Sequence, residues 1–167
     1  MLRTVSILLF SMLLLYGCGG GGSEGSGGSA SINITSFDMN PKTISAGTTF
    51  DVTWSVNYSA PSHSYWLEFH MNNQNSIPSD MSGLTNHFYR NCDVPGLDCG
   101  TSGTIRCEVV NLGGNLSTKC NILNSTVSPQ SHGIIFTGDG YAILKACVHN
   151  SQMQEVCDQK SIQIKVQ

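Results

Sequence analysis

Apolar and polar residues alternate along most of the chain beyond residue 30. The clearest segment is 50–58, where every second residue is apolar and the residues between are Asp, Ser, Thr or Asn. Because successive side chains of a strand point to opposite faces, this pattern predicts a strand with one buried face. Seven further strands are predicted at 32–37, 65–71, 84–89, 104–111, 115–122, 141–149 and 155–166.

Helical periodicity is not sustained in any part of this pattern. The short strands are separated by clusters of Gly, Pro, Asn and Ser, which favour turns. The sequence therefore predicts an all-β fold of antiparallel strands, arranged as a sandwich or barrel.

Cysteine spacing adds covalent constraints to this fold. All of the seven cysteines except Cys18 lie between 92 and 157, an even set that suggests three disulfides. Gly113 and Gly114 signal a two-residue hairpin turn, and counting outward from it places Cys107 opposite Cys120 at a closely spaced, non-hydrogen-bonded pair.

The other cysteines lie around turns in the same way. A hairpin turning at 151–153 sets Cys147 opposite Cys157, and the turn signature Pro95-Gly96 lies between Cys92 and Cys99. The predicted bridges are therefore Cys92–Cys99, Cys107–Cys120 and Cys147–Cys157. A zinc site is the alternative, but these spacings are those of hairpins and include no C-x-x-C pair, so no metal or cofactor is predicted.

The N-terminus carries a targeting signal. Arg3 precedes the apolar run 5–16 (VSILLFSMLLLY), which is short for a membrane span. Residues 15–18, Leu-Tyr-Gly-Cys, resemble the lipobox of bacterial lipoproteins. That resemblance implies a signal peptide at 1–17 and lipid attachment, including palmitate, at Cys18; an uncleaved anchor and an ordinary secretory peptide are the alternatives.

A tether follows the predicted lipid site. Residues 19–29 are almost entirely Gly and Ser, a composition typical of flexible linkers with a mean reach of roughly 15 to 20 Å. Residues 18–30 are thus predicted to hold a single domain, 31–167, away from a membrane. In the lipoprotein family an Asp after the lipidated Cys favours retention at the inner membrane, so Gly19 implies the outer membrane of a bacterial envelope.

The domain itself resembles an immunoglobulin-like or fibronectin-type-III-like β-sandwich. The resemblance rests on Pro41 and Gly47 before the Trp54 strand, on Asp139-Gly140-Tyr141, and on the strand 141–150 (YAILKACVHN). It implies an antiparallel immunoglobulin-like sandwich over most of 31–167. The disulfide that joins the sheets of antibody domains would need a cysteine on the Trp54 strand, and none is there.

Charge and catalytic motifs narrow the function. The net charge is −3, so no basic surface is predicted and nucleic acid is not an expected partner. The histidines do not stand at metal-site or triad spacing from any carboxylate. Asp139 is interpreted as a turn residue rather than a calcium ligand, because one carboxylate supplies too few oxygens. No catalytic residue is predicted.

One strand suggests a binding surface. Segment 65–71 is apolar at its odd positions, so its even positions fall on the outer face. In an immunoglobulin-like order this strand lies beside 141–149. The predicted patch, centred on an exposed aromatic ring, consists of Trp66, Glu68, His70, Tyr141 and Lys145.

The alternative for this patch is ordinary packing, with Trp66 covered by 72–83 or 121–139. With these features, the sequence predicts a lipid-anchored, non-catalytic binding or scaffolding module that contacts the membrane through its lipid and an unidentified protein or glycan. The second hypothesis is an envelope enzyme or enzyme inhibitor with its site in loops, such as those holding the vicinal Ser-His pairs at 62–63 and 131–132.

Overall fold

The structure is a computed structural model that describes residues 29–60, 64–77, 87–92, 99–126, 128–134 and 136–167. None of these residues belongs to a helix that could span a lipid bilayer. The predicted signal peptide, Cys18 and the tether up to residue 28 lie outside the described residues. The strands are β1 (Ser31–Asn40), β2 (Thr43–Ile44), β3 (Thr49–Ser59), β4 (Trp66–Asn72), β5 (His87–Asn91), β6 (Ser102–Leu112), β7 (Asn115–Ile122), β8 (Gln130–Gly133), β9 (Gly138–His149) and β10 (Glu155–Val166).

These strands form two five-stranded sheets, ordered β1-β3-β6-β7-β8 and β2-β10-β9-β4-β5. The prediction of an all-β fold is confirmed. Neighbouring strands are antiparallel except at the short β2–β10 pair, which is parallel. The inner faces of both sheets contribute to one hydrophobic core, where Phe50 of β3 meets Phe69 of β4 with ring centroids 6.4 Å apart.

Each segment predicted as a strand corresponds to an observed one, and β7 has the predicted bounds. The two strands that the sequence did not predict are β2 and β8. Strand β2 has only two residues, and β8, with the sequence QSHG, has no apolar side chain. Such short pieces carry no alternation from which a strand is recognised.

Strand β1 contains a bulge at Thr35, where its register against β3 shifts by one residue. Before the bulge Ile32 and Ile34 are buried, and after it Met39 is buried and Phe37 packs against the core. The extra residue reverses the alternation of faces, so that apolar residues at even and then odd positions all point inward.

Trp54 of β3 is the largest of the fully buried side chains. Its size restricts which residue can lie opposite it on the neighbouring strand. Its register partner on β6 is Gly103, and a Cβ at that position would come within 2.9 Å of the indole ring. The absence of a side chain therefore makes room for Trp54, whose ring also contacts Tyr65 edge-on at 6.1 Å.

The disulfide prediction is confirmed for all three pairs: Cys92–Cys99, Cys107–Cys120 and Cys147–Cys157. Both hairpin pairs lie directly opposite in register. Their Cα atoms are 4.1 Å apart in each case, as expected at the closely spaced pairs of an antiparallel ladder.

Two side chains cap strand edges where the sheets meet. On one side Asp158 of β10 accepts the backbone N–H of Ile34 on edge strand β1 at 2.7 Å and that of Gln159 at 2.8 Å. On the other side Gln130 of β8 accepts the N–H of Tyr89, on edge strand β5, at 3.0 Å. The edges are thus partly satisfied by side chains rather than left for another strand.

Candidate functional site

The predicted patch lies on the outer face of the sheet β2-β10-β9-β4-β5. Strand β4 pairs with β9, as predicted, and the register sets Glu68 opposite Lys145. Four of the five predicted residues come together here and are joined by a histidine from the end of β9. We call this group the outer cluster: Trp66, Glu68, His70, Lys145 and His149.

Glu68 is the centre of the outer cluster. It is only 2% exposed, and its carboxylate accepts a hydrogen bond from Trp66 Nε1 at 3.3 Å and another from Lys145 Nζ at 3.4 Å. His70 Nε2 lies 3.2 Å from the second carboxylate oxygen. The Trp66 ring also packs against the ring of His149, with centroids 4.6 Å apart and the two planes tilted by 39°.

These contacts set the protonation of Glu68. Burial by itself would raise its pKa, but the hydrogen bond to His70 and the charge of Lys145 outweigh burial and lower the pKa to about 2. A carboxylate with so low a pKa is a weak base near neutral pH. Its chemistry here is to hold cationic and N–H groups in place rather than to move protons.

Of the two hypotheses for Trp66, an exposed ring and ordinary packing, the structure agrees with packing. Trp66 is 8% exposed, and Ile143 and Cys147 on the same outer face are fully buried. The chain after β4 turns back over this face, since the backbone carbonyl of Asn75 accepts a hydrogen bond from Gln159 of β10 at 3.5 Å. Local alternation assigned the correct face to Trp66, and its ring there contacts Glu68 and His149.

Tyr141, the fifth predicted residue, lies away from Glu68. It is half-buried and lines a cleft of about 560 Å³ at the end of the sheet where β2 joins β10. The residues that line this cleft are Lys42, Thr43, Asn73, Asp139, Gly140, Tyr141, Gln163, Ile164 and Lys165. The structure therefore divides the predicted patch into a buried cluster and an open cleft.

Most of the cleft residues were missed by the sequence analysis. One signal was present, because the predicted β9–β10 hairpin register places Gln163 opposite Tyr141, as observed. The interpretation of Asp139 as a turn residue is wrong, since it lies in β9 beside Lys165. Asn73 and Lys42 reach the cleft through long-range packing, which carries no local pattern.

A second concave surface of about 470 Å³ lies on the other sheet and is lined in part by Arg106, Glu108 and Lys119. Arg106 binds Asp51 through both carboxylate oxygens at 2.8 Å, and this contact lowers the pKa of Asp51. The pair is largely exposed, so solvent weakens it. Positive and negative side chains therefore lie close together on this surface, and neither sign dominates.

Arg90 of β5 was not singled out from the sequence. It is 5% exposed and donates from Nη2 to Asn121 Oδ1 at 2.9 Å, while its guanidinium lies 5.2 Å from the centre of the Phe88 ring. Burial lowers its pKa. Arg90 thereby connects β5 to β7 across the two sheets.

Metal-ligand side chains meet at one place among the described residues: Cys147, Cys157 and Glu155 have ligand atoms within 4.8 Å of one another. The two sulfurs are bonded to each other, so they are not available as thiolate ligands. Of the loop Ser-His pairs, residues 131–132 lie on β8, and 62–63 fall in part of the chain that the structure does not describe.

Comparisons of the chain with protein-family models, with curated proteins and with solved structures found no match. No relative therefore indicates a substrate, ligand or partner. The function is inferred from the residues described above together with the N-terminal pattern.

Proposed function

We propose that the protein is a lipid-anchored component of a bacterial cell envelope and acts as a non-catalytic binding or scaffolding module. The observation that carries this proposal is the set of three disulfides, each formed between cysteines close in sequence. Disulfides persist in oxidising compartments outside the cytosol, including the bacterial periplasm and cell surface. A protein stabilised in this way is suited to export.

The N-terminal pattern supports attachment to a membrane. The apolar run 5–16 ends directly before Gly17-Cys18, and a Gly/Ser segment separates Cys18 from the first strand, which begins at Ser31. Such a segment would let the folded body move above the bilayer while its lipid stays inserted. The Gly at position 19 favours the outer membrane as the destination.

The immunoglobulin-like class is part of the proposal. The order β10-β9-β4-β5 agrees with the G-F-C-C′ order of a variable-type immunoglobulin sheet. In the other sheet β6 lies next to β3 and β7 follows it outward, whereas immunoglobulin domains have the later strand E next to B and the earlier strand D at the edge. We propose an immunoglobulin-related sandwich in which this second sheet is rearranged.

A binding role agrees with the chemistry of the described surfaces. The buried carboxylate of Glu68 is held by Lys145 and the neighbouring ring nitrogens, while the cleft at Tyr141 offers polar groups to solvent. These arrangements fix side chains in place and supply hydrogen-bonding groups, as binding sites require.

The proposal is tested by labelling bacteria that express the chain with an alkyne analogue of palmitate. The wild type should carry the label and sediment with membranes, and Cys18→Ser should lose both properties because the acceptor thiol is absent. Ser29→Ala, a change in the same tether, should behave as the wild type. Undiminished label or membrane association in Cys18→Ser would refute the lipid anchor.

A further inference from the structure

The cleft at the β2 end of the outer face has a floor made of four side chains from two adjacent strands. Tyr141 and Asp139 come from β9, and Gln163 and Lys165 come from β10. Asn73, just after β4, and Lys42, just before β2, form opposite walls. We call this site the outer-face cleft.

The floor is set by the hairpin register. Tyr141 lies opposite Gln163, and Asp139 lies opposite Lys165. Both pairs are an even number of residues from Cys147–Cys157, whose Cα atoms are 4.1 Å apart. Since the type of pair repeats every two residues, they too are closely spaced pairs with side chains on one face. The side chains of Tyr141 and Gln163 therefore leave the sheet at neighbouring positions on the same face.

The Lys42 wall is fixed by the backbone. The carbonyl of Lys42 accepts a hydrogen bond from the N–H of Lys165 at 2.9 Å, at the start of the parallel β2–β10 pair. The wall and the floor thus belong to one hydrogen-bonded sheet. A site built on paired strands needs little rearrangement to bind a ligand.

The outer-face cleft is lined by two lysines, Lys42 and Lys165, and by one carboxylate, Asp139; a second carboxylate, Asp38, is not among the lining residues but pairs with Lys42. Lys42 Nζ lies 2.9 Å from Asp38 Oδ1, and this contact lowers the pKa of Asp38. Lys165 has Asp139 as its cross-strand neighbour. The two lysines are thus offset by Asp139 within the lining and by Asp38 beside it, so the formal charge of the cleft with its immediate surroundings is zero and selects neither an anion nor a cation.

We infer that the outer-face cleft binds a neutral saccharide, an inference that rests on the proposed role as a binding module. The ring of Tyr141 supplies an apolar surface for the C–H face of a sugar. Asn73 and Gln163 each supply an amide that both donates and accepts, and Asp139 accepts, which matches hydroxyl groups that also do both. The volume of about 560 Å³ is in the range of small-molecule sites.

The test measures binding of three neutral trisaccharides, namely maltotriose, cellotriose and triacetylchitotriose, to the full chain in a detergent without a sugar head group. Saturation-transfer NMR detects weak binding at millimolar ligand. We expect binding of at least one of them to the wild type, nearly independent of salt. Tyr141→Ala and Gln163→Ala should each weaken it at least about tenfold, because each removes one face of the site.

Tyr89→Ala is the matched control, since Tyr89 is an exposed tyrosine on β5, at the opposite edge of the same sheet. The affinity of this variant for the saccharide should equal that of the wild type. Failure of all three saccharides to bind would overturn the inference. Salt-sensitive binding of trigalacturonate alone would also overturn it, because the site would then select an anion. Loss of saccharide binding with membrane labelling of Cys18 intact removes only the ligand class and leaves the proposed anchor standing.

Discussion

The hairpins β6–β7 and β9–β10 carry the same covalent bond on opposite faces. In β6–β7 the Cys107–Cys120 bridge points into the core, at 0% and 1% exposure, and the charged pair of Arg106 lies outside. In β9–β10 the bridge is on the outer face, where Cys157 is exposed. On this outer face the ion pair is the buried one, since Lys145 contacts the buried carboxylate of Glu68.

This reversal separates two properties of a cross-strand disulfide. Which cysteines pair depends on the turn, since both pairs follow from counting outward and have equal Cα separations. What surrounds the bond depends on which face of the sheet it occupies. The same local pattern can therefore stabilise a core in one hairpin and a surface layer in the other.

The largest expected effect comes from deleting each bridge. Replacing Cys107 and Cys120 with Ala should lower the free energy of unfolding by about 4 kcal/mol: about 3 from the lost loop constraint and about 1 from the core space left empty. Replacing Cys147 and Cys157 should cost about 3 kcal/mol, because the outer site loses less packing. Urea unfolding measures both. If loss of Cys147–Cys157 lowered the free energy of unfolding as much as loss of Cys107–Cys120, the difference between a buried and an outer bridge would be contradicted.

Acid should reveal the buried ion pair of the β9–β10 side. The pKa of Glu68 is about 2 in the folded protein, against an ordinary 4.5, so its stabilisation is complete above pH 4.5 and disappears as pH falls toward 2. The loss is about 3 kcal/mol, measured by urea unfolding across this range. Glu68→Gln should flatten that slope, whereas Asp51→Asn should retain it. An unchanged slope in Glu68→Gln would contradict the assignment.

Reduction should distinguish the two bridges by rate. Dithiothreitol should open Cys147–Cys157 at least about tenfold faster than Cys107–Cys120, because exposed disulfides are attacked directly and buried ones require opening of the fold. Alkylation followed by peptide mass spectrometry gives the order of reduction. Equal rates in the folded protein would show that burial does not protect the inner bridge.

The exposed charged pair of the β6–β7 side should matter least. Asp51→Asn removes the partner of Arg106 and should change the free energy of unfolding by about 0.5 kcal/mol or less. Added salt should reduce even this difference, since the charges are screened by solvent. Lys145→Met, which removes a cation from a buried carboxylate, should cost more. The reverse order would remove the distinction between the two ion pairs.

The sequence predicted those parts of the molecule that depend on nearby residues. The registers of both hairpins, and with them Cys107–Cys120 and Cys147–Cys157, follow from turn positions. The faces of β4 were also correct, because Leu67 and Phe69 alternate with Trp66 and Glu68.

The features that the sequence did not predict depend on distant parts of the chain. The alternation of β4 left both an exposed and a packed Trp66 open, because the ring of His149 that contacts it comes from another strand. The cleft at Tyr141 needs Lys42 and Asn73, which come from different connections between strands. The positions of β6 and β7 within their sheet were not predicted, since alternation identifies strands but not their neighbours.

The carboxylate of Asp158 bears on how copies of this protein behave together. Proteins attached to one membrane share a thin layer and meet each other at high local concentration, where an unsatisfied strand edge invites polymer growth. By accepting the N–H groups of both Ile34 and Gln159, this side chain removes two sites at which a neighbouring copy would begin to stack. If the protein is anchored in a bilayer as proposed, this contact favours separate molecules over fibres.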